Sequence, residues 1–265
     1  MSAAAAAPTE ARGRAPAAAA GHDDRAGERR GLIVQIIGIG AAFAAVVGWL
    51  AIADLSPTEL STLNPATLWG YTVDHLALTA VSAVIVLMIA IPLGILLTRR
   101  PLRFLTGPVV AVAGVGQAAP AIGLVVLLAF ALGFGFWPTV VALVLYAVLP
   151  VLRNTMVGLT QVDQLLVEAA RGMGMSPAAV LFRVELPLAV PLMLAGIRTA
   201  LVLLVGTATL AAFIDGGGLG ILITTGVTLS LNTVLIAGSL LVALLALVVD
   251  WLGRVVEHFA RPRGL

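Results

Sequence analysis

Very few residues of this chain could carry out covalent chemistry. Its 265 residues include no cysteine and three histidines, and all fifteen basic residues are arginine. The absence of cysteine excludes disulfides, thiolate metal sites and thiol nucleophiles. The absence of lysine excludes a Schiff-base amine and the phosphate-binding lysine of a P-loop.

His75 and the glycine run at 216–220 come nearest to chemical motifs. His75 follows Asp74, and a histidine beside a carboxylate can relay a proton, but a lone histidine at a helix end is more often interfacial. The glycine run resembles a phosphate loop only in composition, because no strand precedes it and no lysine follows it. We therefore expect a tight turn there, and neither a catalytic residue nor a metal site in the chain.

The composition is that of an integral membrane protein. Hydrophobic residues make up 60% of the chain and charged residues only 11%, whereas soluble domains carry about 25% charged residues. Such a chain could not cover a water-facing surface. The arginines flank apolar segments, so a nucleic-acid partner is not expected.

Six apolar segments are long enough to cross a bilayer, which takes about 20 helical residues for a hydrocarbon core of about 30 Å. The turn residues of 133–138 divide one long uncharged stretch into two spans. A signal peptide is the rival interpretation of the first segment, but a signal's apolar region is only about 7–15 residues long. The shorter segment 221–231 is predicted to be re-entrant or interfacial. The predicted spans are 32–53, 76–98, 109–132, 139–152, 188–214 and 233–252.

The arginines orient these spans. With the N-terminus inside, the external segments are 54–75, 133–138 and 215–232, and none contains an arginine. This bias follows the positive-inside rule and predicts that both termini and the loop 160–187 are cytoplasmic. Residues 1–31 lack large apolar side chains after Met1 and are predicted to form a disordered cytoplasmic tail. A second cytoplasmic tail is predicted at 253–265.

Two polar features lie inside predicted spans. Gln117 and Pro120 interrupt the third span, and since a buried amide is costly unless paired, they indicate either a translocation path or a hydrogen bond between packed helices. Arg198 lies in the fifth span, where a structural ion pair with Glu185, Asp250 or a helix end is favoured over a role in substrate binding.

The loop 160–187 carries a spaced polar pattern. We predict one short helix at 162–172, on which Leu165, Leu166 and Ala169 form an apolar face, and a second that starts at Ser176-Pro177. Gly172 and Gly174 would end the first helix, and Leu186-Pro187 would end the second and start the next span. A short rigid helix at this position can transmit a push to the spans. The residues that define the pattern are Glu168, Ala169, Ala170, Gly174, Leu186 and Pro187.

This pattern resembles the cytoplasmic coupling (EAA) loop in type I permease subunits of ABC importers. From about 75 to 250 the chain also resembles the permeases of osmoprotectant importers for glycine betaine, carnitine and choline. One departure is Gln117-Ala118-Ala119-Pro120-Ala121, where that family usually has Gln-Thr-x-Pro-Ser. The matching stretches are Ile91-Pro92-Leu93-Gly94, Leu149-Pro150-Val151-Leu152-Arg153-Asn154-Thr155, Gly196-Ile197-Arg198-Thr199 and Ala208-Thr209-Leu210.

The resemblance implies an all-α polytopic fold of six transmembrane helices. A five-helix permease core at 72–252 would follow one extra N-terminal helix at 32–53. The chain would be a non-enzymatic subunit of the cell membrane, without a cofactor, that contacts separate ATPase subunits through Glu168, Ala169, Ala170, Gly174, Leu186 and Pro187. An external binding protein, of the lipoprotein type, would deliver the osmoprotectant, and a second permease subunit would complete a path that includes Gln117 and Pro120.

Two alternative classes stay open. An importer permease for another small solute, such as methionine or an alkanesulfonate, would have the same architecture. An energy-independent channel or an intramembrane enzyme is the other class. The enzyme would need several polar residues that converge within the bilayer, and the spans offer few besides Gln117 and Arg198.

Overall fold

The computed structural model describes residues 20–260, and its regular elements are helical. Three non-α segments interrupt the helices: 3₁₀ turns at Arg100–Leu105 and Ala208–Ile214, and a π-helical segment at Leu181–Glu185. The α-helices are α1 (Ala20–Ile52), α2 (Pro57–Thr62), α3 (Pro65–Thr98), α4 (Thr106–Ala118), α5 (Ala121–Leu132), α6 (Phe136–Thr160), α7 (Gln164–Gly172), α8 (Pro177–Val180), α9 (Leu186–Thr207), α10 (Gly220–Thr228) and α11 (Asn232–Ala260).

The predicted all-α polytopic fold is confirmed, with five to six candidate spans. Within residues 20–260, five helical segments are long and apolar enough to cross a membrane. The helices α4 and α5 make a sixth when they are counted together as one span, and they are bent by 97° at the break between them. The break falls at Ala119-Pro120, where Ala119 is extended (φ −64°, ψ 143°). Proline disfavours a helical conformation in the residue before it and lacks an N–H. The prediction of one continuous helix over 109–132 was therefore wrong.

Most of the other helices are longer than the spans predicted from the sequence. α3 begins at Pro65, eleven positions before the predicted Leu76, because the Asn64 side chain accepts a hydrogen bond from the Thr67 N–H and proline occupies the first turn. α1 includes residues 20–31 of the predicted tail, and residues 1–19 lie outside the described range. α11 continues to Ala260, into the tail predicted at 253–265.

The core lies between α3, α6 and α9, which pack along one another. α11 packs against α9 and α10, and α1 packs mainly against α11. Small residues allow the closest approaches: a Cβ on Gly196 of α9 would lie 2.4 Å from the Asn154 Cβ of α6. The fully buried large side chains of this core are Leu78, Val86, Val140, Leu143, Val151, Leu152 and Leu204.

The three segments predicted outside meet at one end of the bundle, which we call the turn end. The Gly135 N–H donates to the Ile214 carbonyl oxygen at 2.7 Å, and the glutamate of α2, Glu59, accepts a hydrogen bond from the Thr233 hydroxyl at the start of α11. Gly133 and Gly135 have φ values of 92° and 113°, so the turn predicted at 133–138 requires glycine. The loop 160–187 lies at the opposite end, which we call the loop end.

Candidate coupling loop and translocation path

Helix α7 has defined caps at both ends. At its start, the Asp163 carboxylate accepts a hydrogen bond from the Leu165 N–H at 2.9 Å. At its end, Gly174 is left-handed (φ 81°), its N–H donates to the Arg171 carbonyl at 2.9 Å, and the Met175 N–H donates to the Ala170 carbonyl at 3.2 Å. These two bonds form a Schellman motif, in which glycine is the favoured left-handed residue. The Gly174 of the sequence pattern therefore ends the helix, as predicted.

The two faces of α7 have opposite surroundings. Val167 and Ala170 are buried and pack with apolar side chains at the ends of α6, α8 and α9. The predicted apolar face of Leu165, Leu166 and Ala169 is present, but it points away from the bundle: Leu165 is 72% exposed. Glu168 is exposed on this outer side. The Glu-Ala-Ala triplet is thus divided, with two residues turned outward and one anchored.

The exposed apolar surface continues beyond α7. Met173 in the turn and Phe182 in the π-helical segment are 77% and 67% exposed. We call these two side chains and the exposed side of α7 (Leu165, Leu166, Glu168 and Ala169) the outer surface of the loop. The loop thus exposes four large apolar side chains and a glutamate, and exposed apolar surface of this kind is typical of a contact with another protein.

The second half of the loop begins as predicted but does not end as predicted. The Ser176 hydroxyl accepts from the Ala179 N–H at 3.2 Å and Pro177 occupies the first turn. The helix then continues through the π-helical segment into α9, where the Leu186 N–H donates to the Leu181 carbonyl. The prediction that Leu186-Pro187 stops this helix was therefore wrong.

The π-helical segment explains how a proline fits into a continuous helix. In an α-helix, the ring of Pro187 would meet the carbonyl of Arg183, four residues earlier. A π turn locally widens the helix and lies directly before Leu186-Pro187. As a result, Pro177–Ile214 is one continuous helical segment of 38 residues, and the loop is directly connected to the core span α9.

A partly buried ion pair joins this segment to α3. The Glu185 side chain is 9% exposed and forms a two-pronged contact with the Arg99 guanidinium at the end of α3, with Arg99 Nη1 3.2 Å from Glu185 Oε1. Planar bidentate pairs of this kind are geometrically specific. Glu185, one predicted partner of Arg198, is therefore committed to another arginine.

Arg198 forms the structural ion pair that was predicted, with Asp250 as one partner. Its Nε lies 3.5 Å from Asp250 Oδ1, and its Nη1 lies 3.3 Å from Glu257 Oε2. Asp250 also accepts from Arg254 Nε at 3.0 Å and from Gln35 Nε2 of α1 at 3.1 Å. Two carboxylates compensate this arginine inside the protein, and the network joins α1, α9 and α11.

Gln117 and Pro120 lie on the two sides of the break in the third span. Gln117 is half-buried in the last turn of α4, and its amide makes no side-chain hydrogen bond within residues 20–260. The preceding Gly116 packs directly on α6, since a Cβ there would lie 2.7 Å from the Leu145 carbonyl oxygen. The structure shows no hydrogen bond from this amide to another helix among the described residues. The role of Gln117 and Pro120 in a translocation path therefore stays a prediction.

His75 was predicted to be interfacial, and this was wrong. Its side chain is fully buried, and its Nε2–H donates to the Val205 carbonyl oxygen at 2.9 Å. Gly218 of the glycine turn covers it, because a Cβ there would lie 3.0 Å from His75 Nδ1. The sequence contained a signal for this burial: His75 lies at helical spacing from Leu78 and Ser82, which are also buried.

Comparison with known proteins identifies the family. Residues 90–262 match the family model described as binding-protein-dependent transport system inner membrane component. The chain belongs to this family. It is therefore a membrane permease component, and its multi-pass architecture agrees with that of an inner-membrane protein.

The alignments with individual relatives extend over most of this chain. It is 39% identical over 202 residues to the choline transport system permease protein OpuBB of Bacillus subtilis (strain 168), a match that covers 76% of this chain and 92% of the relative. The glycine betaine/carnitine/choline transport system permease protein OpuCB of the same organism is 39% identical over the same shares. The osmoprotectant import permease protein OsmW of Salmonella typhimurium is 39% identical over 207 residues, which is 95% of that relative.

A solved structure has the same fold. An inward-facing conformation of the MetNI methionine ABC transporter matches with a TM-score of 0.66 and 24% sequence identity, covering 76% of this chain and 100% of the other. The type I importer fold expected from the coupling-loop pattern is thus confirmed.

Proposed function

We propose that this permease forms the translocation path of an ATP-driven importer for a small osmoprotectant of the quaternary-ammonium class, such as choline, glycine betaine or carnitine. The names of the relatives support this class over methionine or an alkanesulfonate. Relatives named for choline, glycine betaine and carnitine are 39% identical to this chain, whereas the methionine transporter shares the fold at 24% identity. We assign the permease domain to 72–252 and treat the helix at 32–53 as an addition to it.

The coupling loop is the observation that carries the transport mechanism. The outer surface of the loop leaves Leu165, Glu168 and Ala169 exposed on a helix whose opposite face is anchored. A separate ATPase subunit contacts this surface, since the chain contains no lysine that could hold a nucleotide phosphate in a P-loop. When the ATPases close, they move α7 together with the start of α8.

Movement of the loop reaches the core because Pro177–Ile214 is continuous. A displacement at Ser176 therefore tilts α9, which packs against α6 and α3. The Arg99–Glu185 pair draws the end of α3 along with it. This tilt converts the path from inward-facing to outward-facing, and the bend beside Gln117 and Pro120 lies on the wall of that path.

The remaining partners follow from the orientation. The arginine-free segments gather at the turn end, so the turn end faces outside and receives solute from an external binding protein of the lipoprotein type. The loop end and both termini face the cytoplasm. A second permease subunit completes the path, as a homodimer or a heterodimer.

Uptake of labelled solutes tests this function. The permease would be expressed with its ATPase and binding protein in a strain that lacks osmoprotectant transporters, and accumulation of choline, glycine betaine, carnitine and methionine would be compared. We expect accumulation of at least one quaternary-ammonium solute, and none when the P-loop lysine of the ATPase is replaced. Accumulation of methionine alone would reject the substrate class, and accumulation that survives loss of the ATPase lysine would reject the importer mechanism.

A further inference from the structure

We propose that a cleft at the loop end is a binding site for a phosphate group. The cleft has a volume of about 790 Å³ and lies between the end of α3, the 3₁₀ turn Arg100–Leu105, the end of α6 and helix α7. Ligand sites typically occupy about 300–1,000 Å³. We call it the basic cleft, and it is separate from the outer surface of the loop.

Charge is the main property of the basic cleft. Four arginines line it: Arg99, Arg100, Arg103 and Arg171. The one acidic lining residue among those described is Glu185, and it is held by Arg99 in the partly buried bidentate pair. Its charge cannot also neutralise the other three arginines, so the cleft has an excess of three positive charges.

The three other arginines have no internal counterion. Arg100, Arg103 and Arg171 are exposed, and none makes an ion pair or a side-chain hydrogen bond within residues 20–260. The nearest acidic residues along the loop, Asp163 and Glu168, do not line the cleft. Uncompensated guanidinium groups on a shared concave wall favour an anion, and their planar forks match the oxygen geometry of phosphate.

These arginines come from two different walls of the cleft. Arg100 and Arg103 are three residues apart in a 3₁₀ turn, and side chains at this spacing in a 3₁₀ helix are eclipsed, so they project in the same direction. Arg171 comes from the last turn of α7 on the other wall. One phosphate group between the walls could accept hydrogen bonds from both.

Two sources could supply the phosphate. Phe104, next to Arg103, is 74% exposed, and basic residues beside an exposed phenylalanine are typical of surfaces that lie in the membrane interface. Basic pockets between spans at the membrane surface bind anionic lipid headgroups. Free phosphate in solution has the same chemistry, so the experiment must separate the two.

Binding measurements on the purified full chain in an uncharged detergent test the site, and they do not depend on the transported substrate. Calorimetric titration with inorganic phosphate measures the binding of the free anion. Native mass spectrometry with phosphatidylglycerol reports an anionic headgroup, and phosphatidylcholine serves as the lipid without net charge. The variants are Arg103→Gln and Arg171→Gln, one from each wall, and the matched control is Arg183→Gln, an exposed arginine of the same loop that does not line the cleft.

We expect each cleft variant to weaken binding by about tenfold or more, since a hydrogen bond to a charged group contributes at least about 1.4 kcal/mol. Arg183→Gln should bind as the wild type does. Binding of phosphatidylglycerol without inorganic phosphate identifies a lipid site, whereas binding of both identifies a general phosphate site. The proposal is overturned if the wild type binds neither anion, or if Arg183→Gln weakens binding as much as Arg103→Gln. Thermal melts of all three variants confirm that binding is compared between folded proteins.

Discussion

The Arg99 guanidinium and the Glu185 carboxylate form an ion pair between residues that lie 86 positions apart in the chain. Arg99 follows the last turn of α3, and Glu185 lies in the π-helical segment that connects the coupling loop to α9. The pair therefore joins two core helices where force from the loop would enter the membrane domain. It also keeps the acidic charge of Glu185 inside the basic cleft neutralised.

Replacing Arg99 with alanine should destabilise the permease. The Glu185 side chain is 9% exposed, so its carboxylate would be left buried without a partner, at a cost of about 1–3 kcal/mol. Thermal unfolding in detergent measures this. Arg153→Ala, at an exposed arginine of α6, is the control and should leave the melting temperature unchanged. In the double variant with Glu185→Gln, the loss should be smaller than the sum of the two single losses; strict additivity would show that the pair does not interact.

Gly174→Val should disrupt coupling while the protein still inserts into the membrane. No described side chain or backbone atom crowds this position, so the cost comes from the left-handed backbone (φ 81°), about 1–2 kcal/mol for an ordinary residue. Asparagine tolerates this conformation better. We therefore expect Gly174→Asn to retain most uptake and Gly174→Val to lose it at equal membrane abundance. Equal uptake by the two variants would show that the Schellman turn is dispensable.

Much of this architecture could be predicted because bilayer physics constrains sequence strongly. Span length and the arginine distribution predicted six spans, and the turn at 133–138 was found from its glycine cluster. The caps of the loop were also predictable: glycine at 174 and Ser176-Pro177 have local conformational preferences that hold in any fold.

The errors arose where tertiary structure overrides a local rule. Two prolines were predicted wrongly, in opposite directions. Pro120 breaks a span that was predicted to be continuous, whereas Pro187 lies in a continuous helix that was predicted to end there. The two prolines differ because a π-helical segment lies directly before Pro187, and no local sequence pattern predicts that segment. The helical spacing of His75 to Leu78 and Ser82 indicates a buried helix face. It does not indicate that Gly218, more than 140 positions away, covers the ring, because that contact depends on the tertiary structure.

His75→Ala should destabilise the turn end. The substitution removes a fully buried ring and leaves the Val205 carbonyl without its donor, which together cost about 2–4 kcal/mol. Leu76→Ala, at the neighbouring residue that is 42% exposed, is the matched control and should lower the melting temperature much less. If the two variants melted at the same temperature, the His75–Val205 contact would not contribute to stability.

The hydrogen bonds to the Glu59 carboxylate should make the stability of the turn end depend on pH. Hydrogen bonds from the Ser56 N–H, the Ser56 hydroxyl and the Thr233 hydroxyl lower the pKa of the Glu59 carboxyl. A pKa lowered by folding contributes stability that is complete above the unfolded value of about 4.3, and it is lost as pH falls through the folded value. The melting temperature of the wild type should exceed that of Glu59→Gln at pH 7, and the difference should close as the solution is acidified. A gap that stays constant into acid would show that ionisation of Glu59 does not stabilise the fold.

Glu168→Ala should weaken association with the ATPase while leaving the fold intact. Glu168 is exposed and makes no ion pair or side-chain hydrogen bond within the described part of the chain, so its removal should not change the melting temperature. As part of the outer surface of the loop, its loss should lower the amount of ATPase that copurifies. Leu165→Ala should have a similar effect, because Leu165 is 72% exposed on the same face. Asn232→Ala, an exposed position at the turn end, is the control. Unchanged copurification in both loop variants would place the ATPase contact elsewhere on the permease.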